Sequence, residues 1–259
     1  MELFPGGGAA VVALLVMRLS GLILVAPILS AQVVPVRIKT AVLLALTLLL
    51  WPAAAAHHLP GVTIDPATVL QEALVGLVLG MGAAIFVSAA ELAGDMLAIQ
   101  MGLSGANLVN PLSETQMPVL GQLMGLTVLA FLVSLGGHVL ILQSLSLSLE
   151  VLPLGTPLPV EGGVAAVVEV GSILFLLGLR FAAPVVGAMM IGNAALGVMA
   201  RTVPQLNVLM MAFPLQIAVG LFTLAISLPF VATFFSQWPD AHAEVVDGLL
   251  RGLVPAGGY

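Results

Sequence analysis

The residues of this chain that could do chemistry are charged side chains placed within or at the ends of strongly apolar segments. They are Arg18, Glu72, Glu91, Asp95, Glu169 and Arg180. An ionisable group inside a membrane span is costly and usually faces a partner or water, and proton relays are built from such intramembrane acids. The pattern therefore indicates either pairing between helices or a path for protons.

Two spacings bear on this choice. Glu91 and Asp95 stand four positions apart, so they share a helix face on which like charges repel. A metal site there would need a histidine or a third carboxylate nearby, and we favour a simple helix end at the cytoplasmic side. Glu169 and Arg180 would lie about 16 Å apart along one helix, so each is expected to meet a different helix. We predict neither a metal ion nor a cofactor.

A serine offers a second kind of chemistry. The run Gly102, Leu103, Ser104, Gly105 resembles the GxSG motif of rhomboid intramembrane proteases, in which His138 would serve as the base. In that family the histidine comes from a later helix with its own small-residue spacing, whereas Ser104 lies in a turn-rich loop. A four-residue motif of this kind arises easily by chance. We therefore predict that the chain is not an enzyme and keep the protease as the weakest alternative.

The loop around this serine, residues 100–118, lies between two strongly apolar segments and carries a single charge, Glu114. Glycine and asparagine tolerate left-handed backbone angles, and Pro111 and Pro118 cannot continue a helix. Irregular backbone at membrane depth is tolerated only where protein or a water-filled cavity covers it. The stretch is therefore a candidate pore element.

Composition indicates an integral membrane protein. Of 259 residues, 61% are hydrophobic and 7% are charged, against about 25% charged in soluble domains. Twelve acids against six bases give a net charge of −6, which argues against nucleic-acid binding. Cysteine is absent, which excludes disulfides and thiolate catalysis.

The fold class that follows is an all-α membrane protein with about six hydrophobic helices. A span needs about 20 mostly apolar residues, and the segments that approach or meet this length are 8–29, 38–56, 66–90, 118–142, 164–191 and 206–233. The third and fifth are longer than a span needs, which indicates tilt, kinks or continuation beyond the bilayer. Two pairs of glycines at four-residue spacing, Gly76 with Gly80 and Gly121 with Gly125, favour close helix packing within the chain over packing between subunits.

Four stretches taken together resemble one family. They are residues 18–50, 91–121, 136–138 and 181–221, and they carry the order ExxGxxxxxQxG, then NP, then RTxPQxN, then FPL. This combination resembles the FliR family of flagellar export-gate proteins and their counterparts in virulence-associated type III secretion. The resemblance covers nearly the whole chain and favours the flagellar system.

The resemblance implies a non-enzymatic subunit of a protein export gate. In this family the helices, some kinked or paired as hairpins, assemble with FliP-like and FliQ-like subunits into a helical hetero-oligomer. The gate lies in the bacterial inner membrane at the flagellar basal body, among lipids and next to FlhB and FlhA. Unfolded substrates pass through it, and no nucleic acid is involved.

The resemblance also implies roles along a single export-gate domain, 1–259. Residues 1–150 would be FliP-like helices with the loop 100–118, residues 164–235 a FliQ-like hairpin, and residues 236–259 a C-terminal tail. Within 102–118, the residues expected to close the channel are Gly102, Ser104, Gly105, Asn107, Asn110, Pro111, Gln116 and Pro118. Those expected at the channel entry or a partner contact are Arg201, Pro204, Gln205 and Asn207.

A small secondary transporter remains the main alternative from another functional class. In such a protein, residues 102–111 would be an unwound helix at a substrate site. Transporters of that kind carry corresponding breaks in two related halves, and the sequence shows one convincing break.

Overall fold

The computed structural model describes residues 8–31, 34–59, 61, 63–103, 119–202, 208–236 and 238–254. These ranges form helices joined by short connections, which confirms the all-α fold class. The helices are α1 (Gly8–Val25), α2 (Val36–Ala56), α3 (Pro66–Gln100), α4 (Val119–Ser134), α5 (Gly137–Val151), α6 (Val160–Thr202), α7 (Val208–Ser236) and α8 (Trp238–Leu253).

The start of α3 shows how local sequence sets a helix boundary. Pro66 occupies the first helical position, where its missing N–H costs no hydrogen bond. Just before it, the Asp65 carbonyl accepts the first helical bond, from the N–H of Val69, at 3.1 Å. The Asp65 N–H donates to the Thr68 hydroxyl oxygen at 3.2 Å, and that hydroxyl donates to the Asp65 carboxylate. The cap satisfies groups that would otherwise lack partners at the helix start.

Six apolar segments are confirmed in the described part of the chain. Five helices are long and apolar enough to cross a membrane: α1, α2, α3, the part of α6 over Gly162–Thr202, and the part of α7 over Ala212–Pro229. The pair α4 and α5 is a sixth when taken as one bent span. With 35 and 43 residues, α3 and α6 exceed the length that a span needs, as the sequence predicts.

The fourth apolar segment differs from the single helix expected over 118–142. It is broken between Ser134 and Gly137, and α4 and α5 meet at 72°. Gly136 has a φ of 78°, a left-handed conformation that side chains disfavour. A Cβ at Gly137 would lie 2.6 Å from Leu132 Cγ, so this position also has no room for a side chain. The two adjacent glycines therefore allow the sharp bend.

The chain divides into two compact units, each built from separate parts of the sequence. Unit 1 comprises Met1–Ile85, Leu132–Ser172 and Trp238–Tyr259. Unit 2 comprises Phe86–Phe131 and Ile173–Gln237. The long helices α3 and α6, together with α4, contribute residues to both units.

In unit 1, glycines bring α1 and α3 into backbone contact. A Cβ at Gly76 would collide with the carbonyl oxygen of Arg18, and one at Gly80 would lie 2.9 Å from that of Leu22. Gly21 on α1 faces the carbonyl oxygen of Ala73 in the same way. These contacts confirm that the Gly76 and Gly80 pair packs helices within the chain.

The segment that the sequence analysis assigns to a tail, 236–259, contains the amphipathic helix α8. Its buried side chains recur at helical spacing and lie in unit 1, where α8 packs against α5. They are Trp238, His242, Val246, Leu249, Leu250 and Leu253. Its opposite face carries the exposed residues Asp240 and Glu244.

A methyl group at Gly76 should loosen unit 1. We expect Gly76→Ala to lower the free energy of unfolding by about 1–3 kcal/mol, because backbone atoms of α1 must move to admit the new carbon. The matched control is Gly171→Ala on α6, where the added carbon meets open space. The midpoint of thermal unfolding in one mild detergent measures both variants, and equal midpoints would contradict close α1–α3 packing.

Candidate functional site

Two of the predicted intramembrane charges, Arg18 on α1 and Glu72 on α3, form a buried ion pair in unit 1. The Arg18 Nε donates to Glu72 Oε2 at 2.7 Å. Their side chains are only 1% and 3% exposed. A charge so far from solvent is tolerated only when it is paired and hydrogen-bonded.

The remaining polar atoms of this pair bind the end of α5 and the turn after it. Arg18 Nη1 donates to the carbonyl of Ser148 at 3.0 Å and to its hydroxyl at 3.3 Å, and Nη2 donates to the carbonyl of Leu152 at 2.9 Å. Glu72 Oε1 accepts the N–H of Gly155 at 2.8 Å. The last carbonyls of a helix lack partners within the helix and carry partial negative charge, which suits a guanidinium.

This buried cluster, formed by Arg18, Glu72, Ser148, Leu152 and Gly155, is built to hold helices together. Both oxygens of the carboxylate already accept a hydrogen bond, and the guanidinium donates from all three nitrogens. A proton relay needs an acid that exchanges protons with water or with another acid, and Glu72 is shielded from solvent. Of the two interpretations that the sequence leaves open for these two charges, the geometry favours pairing between helices.

The second pair of acids, Glu91 and Asp95, lies over bare glycine backbone in unit 2. A Cβ at Gly121 would collide with Asp95 Oδ1, and one at Gly125 would lie 2.5 Å from Glu91 Cγ. One helical turn along α3 from Glu91, a Cβ at Gly94 would lie 2.6 Å from the Cα of Gly121. The Gly121 and Gly125 pair thus also packs helices within the chain, here α3 against α4.

The other two predicted charges, Glu169 and Arg180, are exposed on α6. Among the described residues, the ion pairs are Arg18 with Glu72 and Asp247 with Arg251, so Glu169 and Arg180 do not pair with each other. The described part of the chain holds no group of three or more His, Asp or Glu side chains placed to bind a metal ion.

The stretch 100–118, which the sequence marks as a pore element, leaves the helix α3 through a turn at Gly102. This residue has a φ of 72°, and its N–H donates to the carbonyl of Ile99 at 3.1 Å. The N–H of Leu103 reaches back to the carbonyl of Ala98 at 3.0 Å. These two bonds form a Schellman motif, the common helix ending that places glycine in the left-handed region. The chain therefore turns sharply out of α3 at Gly102.

The other predicted loop residues lie outside the described residues. They are Ser104, Gly105, Asn107, Asn110, Pro111, Gln116 and Pro118. His138, the base in the protease alternative, is exposed in the first turn of α5. Of the residues expected at a channel entry, Arg201 is exposed in the last turn of α6, where a cation is favourable. Pro204, Gln205 and Asn207 lie outside the described residues.

The sequence analysis missed one polar pair, His242 of α8 and Ser144 of α5. The Ser144 hydroxyl lies 3.0 Å from His242 Nε2, and the imidazole stacks on the Trp238 ring with centroids 5.1 Å apart. Burial lowers the pKa of His242 to about 4. A hydrogen bond with the backbone of Gly82 acts in the opposite direction and offsets part of this lowering. The imidazole is therefore neutral at physiological pH. The apolar residues of α8 recur at helical spacing, and this pattern would have predicted the helix from the sequence.

Removing one partner of the buried cluster should be costly. We expect Arg18→Met to lower the free energy of unfolding by about 3–5 kcal/mol, because it leaves the carboxylate of Glu72 buried without a counter-charge. The double variant Arg18→Met with Glu72→Met should be more stable than Arg18→Met alone, since neither charge remains. Thermal unfolding in detergent measures both.

The control for this comparison is Arg251→Met, which removes the exposed pair with Asp247 and should change stability little. Additive losses in the double variant would show that Arg18 and Glu72 do not depend on each other. That result would contradict the pairing seen in the structure.

Comparison with known proteins identifies the family. Residues 9–240 match the model of bacterial export proteins, family 1. The chain is 32% identical over 238 residues to flagellar biosynthetic protein FliR of Escherichia coli K12, which covers 90% of this chain and 91% of that protein. It is 34% identical over 175 residues to FliR of Bacillus subtilis, covering 65% and 68% of the two chains.

A relative from a secretion system is also similar. Yop proteins translocation protein T of Yersinia pestis is 29% identical over 220 residues, covering 82% of this chain and 84% of that protein. These relatives and the apolar helices agree with a location in the bacterial inner membrane. The family model covers most of the chain, including the loop and the helices on both sides of it. The chain therefore belongs to the bacterial export proteins, family 1.

Proposed function

We propose that this chain is a channel-forming subunit of the flagellar type III protein export gate. It helps to conduct unfolded export substrates across the inner membrane and closes the channel with its loop 102–118. The observation that carries the proposal is the match to flagellar relatives over 90% of the chain, which includes this loop. Flagellar relatives reach 32% and 34% identity, against 29% for the Yersinia protein, which favours the flagellar system.

The chemistry of the loop suits a closure element. It joins α3 and α4, both of which belong to candidate membrane spans. The polar side chains of Ser104, Asn107, Asn110 and Gln116 can form hydrogen bonds without adding fixed charge. A closure made of such residues would exclude water and ions when closed, and it would release a substrate chain without breaking ion pairs.

The exposed apolar faces of the helices support assembly with other subunits. Large apolar side chains are exposed along α2, α6 and α7, more than a lone soluble chain tolerates and suited to lipid or to neighbouring helices. Within unit 1, an apolar cavity of about 480 Å³ lies along α3 and α6, lined in part by Leu74 and Val168. We propose that FliP-like and FliQ-like subunits cover part of these surfaces.

We further propose the division of roles that the family resemblance implies. Residues 1–150 act as FliP-like helices, and residues 164–235 act as a FliQ-like hairpin of α6 and α7, whose helices are joined through 203–207. Arg201, Pro204, Gln205 and Asn207 line the channel entry or contact FlhB, with FlhA nearby. We propose no catalytic role for Ser104. A small secondary transporter and an intramembrane protease are the alternative functions of the chain.

Shortening the loop should open the closed gate to small ions. We expect deletion of residues 104–116 to raise the ion conductance of the assembled complex in a planar bilayer, because the closure element is removed while α3 and α4 remain. An unchanged conductance in an assembled mutant complex would refute closure by this loop.

Ser104→Ala is the matched control for that deletion. It keeps the loop length and removes one of several uncharged polar side chains, so it should change conductance and export little. Loss of export in Ser104→Ala, with the complex assembled, would instead support the protease alternative.

A further inference from the structure

The cavity of about 480 Å³ in unit 1 lies between the first turns of α3 and those of α6. Its α3 wall is a single helix face, because the residues recur at three- and four-residue spacing. They are Ala67, Leu70, Gln71, Leu74, Leu77 and Val78. Val164 and Val168 belong to the opposite wall on α6, and Leu253 comes from the end of α8. Three helices of unit 1 therefore bound this cavity.

The cavity has a buried floor and an open side. Val78 and Leu253 are almost inaccessible to solvent, whereas Leu70, Val164 and Val168 are mostly exposed. Both α3 and α6 contain candidate membrane spans. The open side therefore continues the apolar surface that these two helices present to the lipid bilayer.

Two adjacent glycines at the start of α6 differ in what surrounds them. A Cβ at Gly162 would lie 2.5 Å from the carbonyl oxygen of Gly252, so α6 packs directly on the end of α8. A Cβ at Gly163, which lines the cavity, would meet open space. Neither a close contact nor a left-handed backbone angle requires glycine at position 163. Glycine there keeps volume in the cavity that any larger side chain would take.

The dimensions of the cavity suit an acyl chain better than a helix. From Ala67 to Val78 the α3 wall rises by about 16 Å, and half of the hydrocarbon core of a bilayer is about 15 Å thick. A cavity of about 150 Å³ holds one benzene ring, so the 480 Å³ here has room for roughly 18 carbon atoms. Each turn of a helix about 10 Å across takes up roughly 420 Å³, so the same space would admit little more than one turn.

The charge of the lining selects between kinds of acyl chain. Among the described residues that line the cavity there is no charged side chain, and the amide of Gln71 is the polar group. An unpaired charge in apolar surroundings is costly. A free fatty acid would bring a carboxylate to the cavity without a cation to pair with it. An esterified chain brings an uncharged ester, to which the Gln71 amide can donate a hydrogen bond.

We propose that this cavity is a binding site for one acyl chain of a bilayer phospholipid. The chain lies along α3 from Gln71 towards Val78, packs against Val164 and Val168 of α6, and reaches Leu253 of α8. The lipid stabilises the junction of these three helices, and neighbouring subunits cover other exposed apolar side chains. The inference does not depend on the proposed function, since it needs only the cavity and the location of its helices in a membrane.

Filling the cavity from Gly163 tests the proposal. The probe is dipalmitoyl phosphatidylglycerol, titrated in mixed micelles into the purified full-length chain, and the rise in the midpoint of thermal unfolding reports binding. We expect Gly163→Leu to weaken this binding about a hundredfold, because the new side chain displaces about four methylene groups of the acyl chain. Gly163→Ala displaces about one and should weaken binding about fourfold.

Gly171→Leu is the matched control for these variants. Gly171 lies on the same helix, its Cβ would also meet open space, and it does not line the cavity. This variant should bind the phospholipid as the unchanged chain does. Equal affinity in Gly163→Leu and Gly171→Leu would overturn the proposal. Palmitic acid should bind more weakly than the phospholipid, and equally tight binding would overturn the assignment to an esterified chain.

A covalent probe identifies what occupies the cavity in the membrane. The chain carries p-benzoylphenylalanine in place of Val168 and is co-expressed with FliP-like and FliQ-like subunits. Irradiation of these membranes should crosslink it to phospholipid, which mass spectrometry detects as an added lipid mass. Adding Gly163→Leu should lower the yield of this product about tenfold or more. A crosslink to a protein subunit in its place, or a lipid yield that Gly163→Leu leaves unchanged, would overturn the proposal.

Discussion

The buried pairing of Arg18 with Glu72 is the constraint on which unit 1 depends. Lipid tails are as apolar as leucine side chains, so apolar contact alone gives helices in a membrane little reason to choose one partner. A guanidinium and a carboxylate that are almost inaccessible to water can be tolerated only in one arrangement. Their bonds to Ser148, Leu152 and Gly155 fix α1, α3 and the end of α5 together without a disulfide.

Glycine is the second constraint, because it sets how closely the helices approach. Gly76 places α3 on a carbonyl of α1, and Gly121 places α4 beneath a carboxylate of α3. At Gly102 the same property ends a helix and admits an aromatic ring. The chain therefore leaves α3 from a point that is fixed by packing.

The sequence alone predicted the helices and the end of α3 because both depend on local properties. Long apolar runs predict the membrane-spanning helices, and the proline at position 66 predicts where one of them begins. Two glycine pairs at four-residue spacing predict close packing of helices. The pairing of Arg18 with Glu72 could not be predicted from the sequence. The two residues are 54 positions apart, and their contact depends on how α1, α3 and α5 pack together. The bend at Gly136 was missed because hydropathy continues through it, and α8 was missed because amphipathic helices do not form apolar runs.

The central claim is that this chain works inside a hetero-oligomeric export gate. Native mass spectrometry of the tagged chain, co-expressed with FliP-like and FliQ-like subunits and extracted in mild detergent, tests it most directly. The account predicts that the chain is held in a larger complex with both partners, since the apolar side chains exposed on its helices are suited to contact with neighbouring helices. A stable monomer or homodimer that ignores those partners would contradict the account and turn attention to a transporter using Glu91, Asp95 and Glu169.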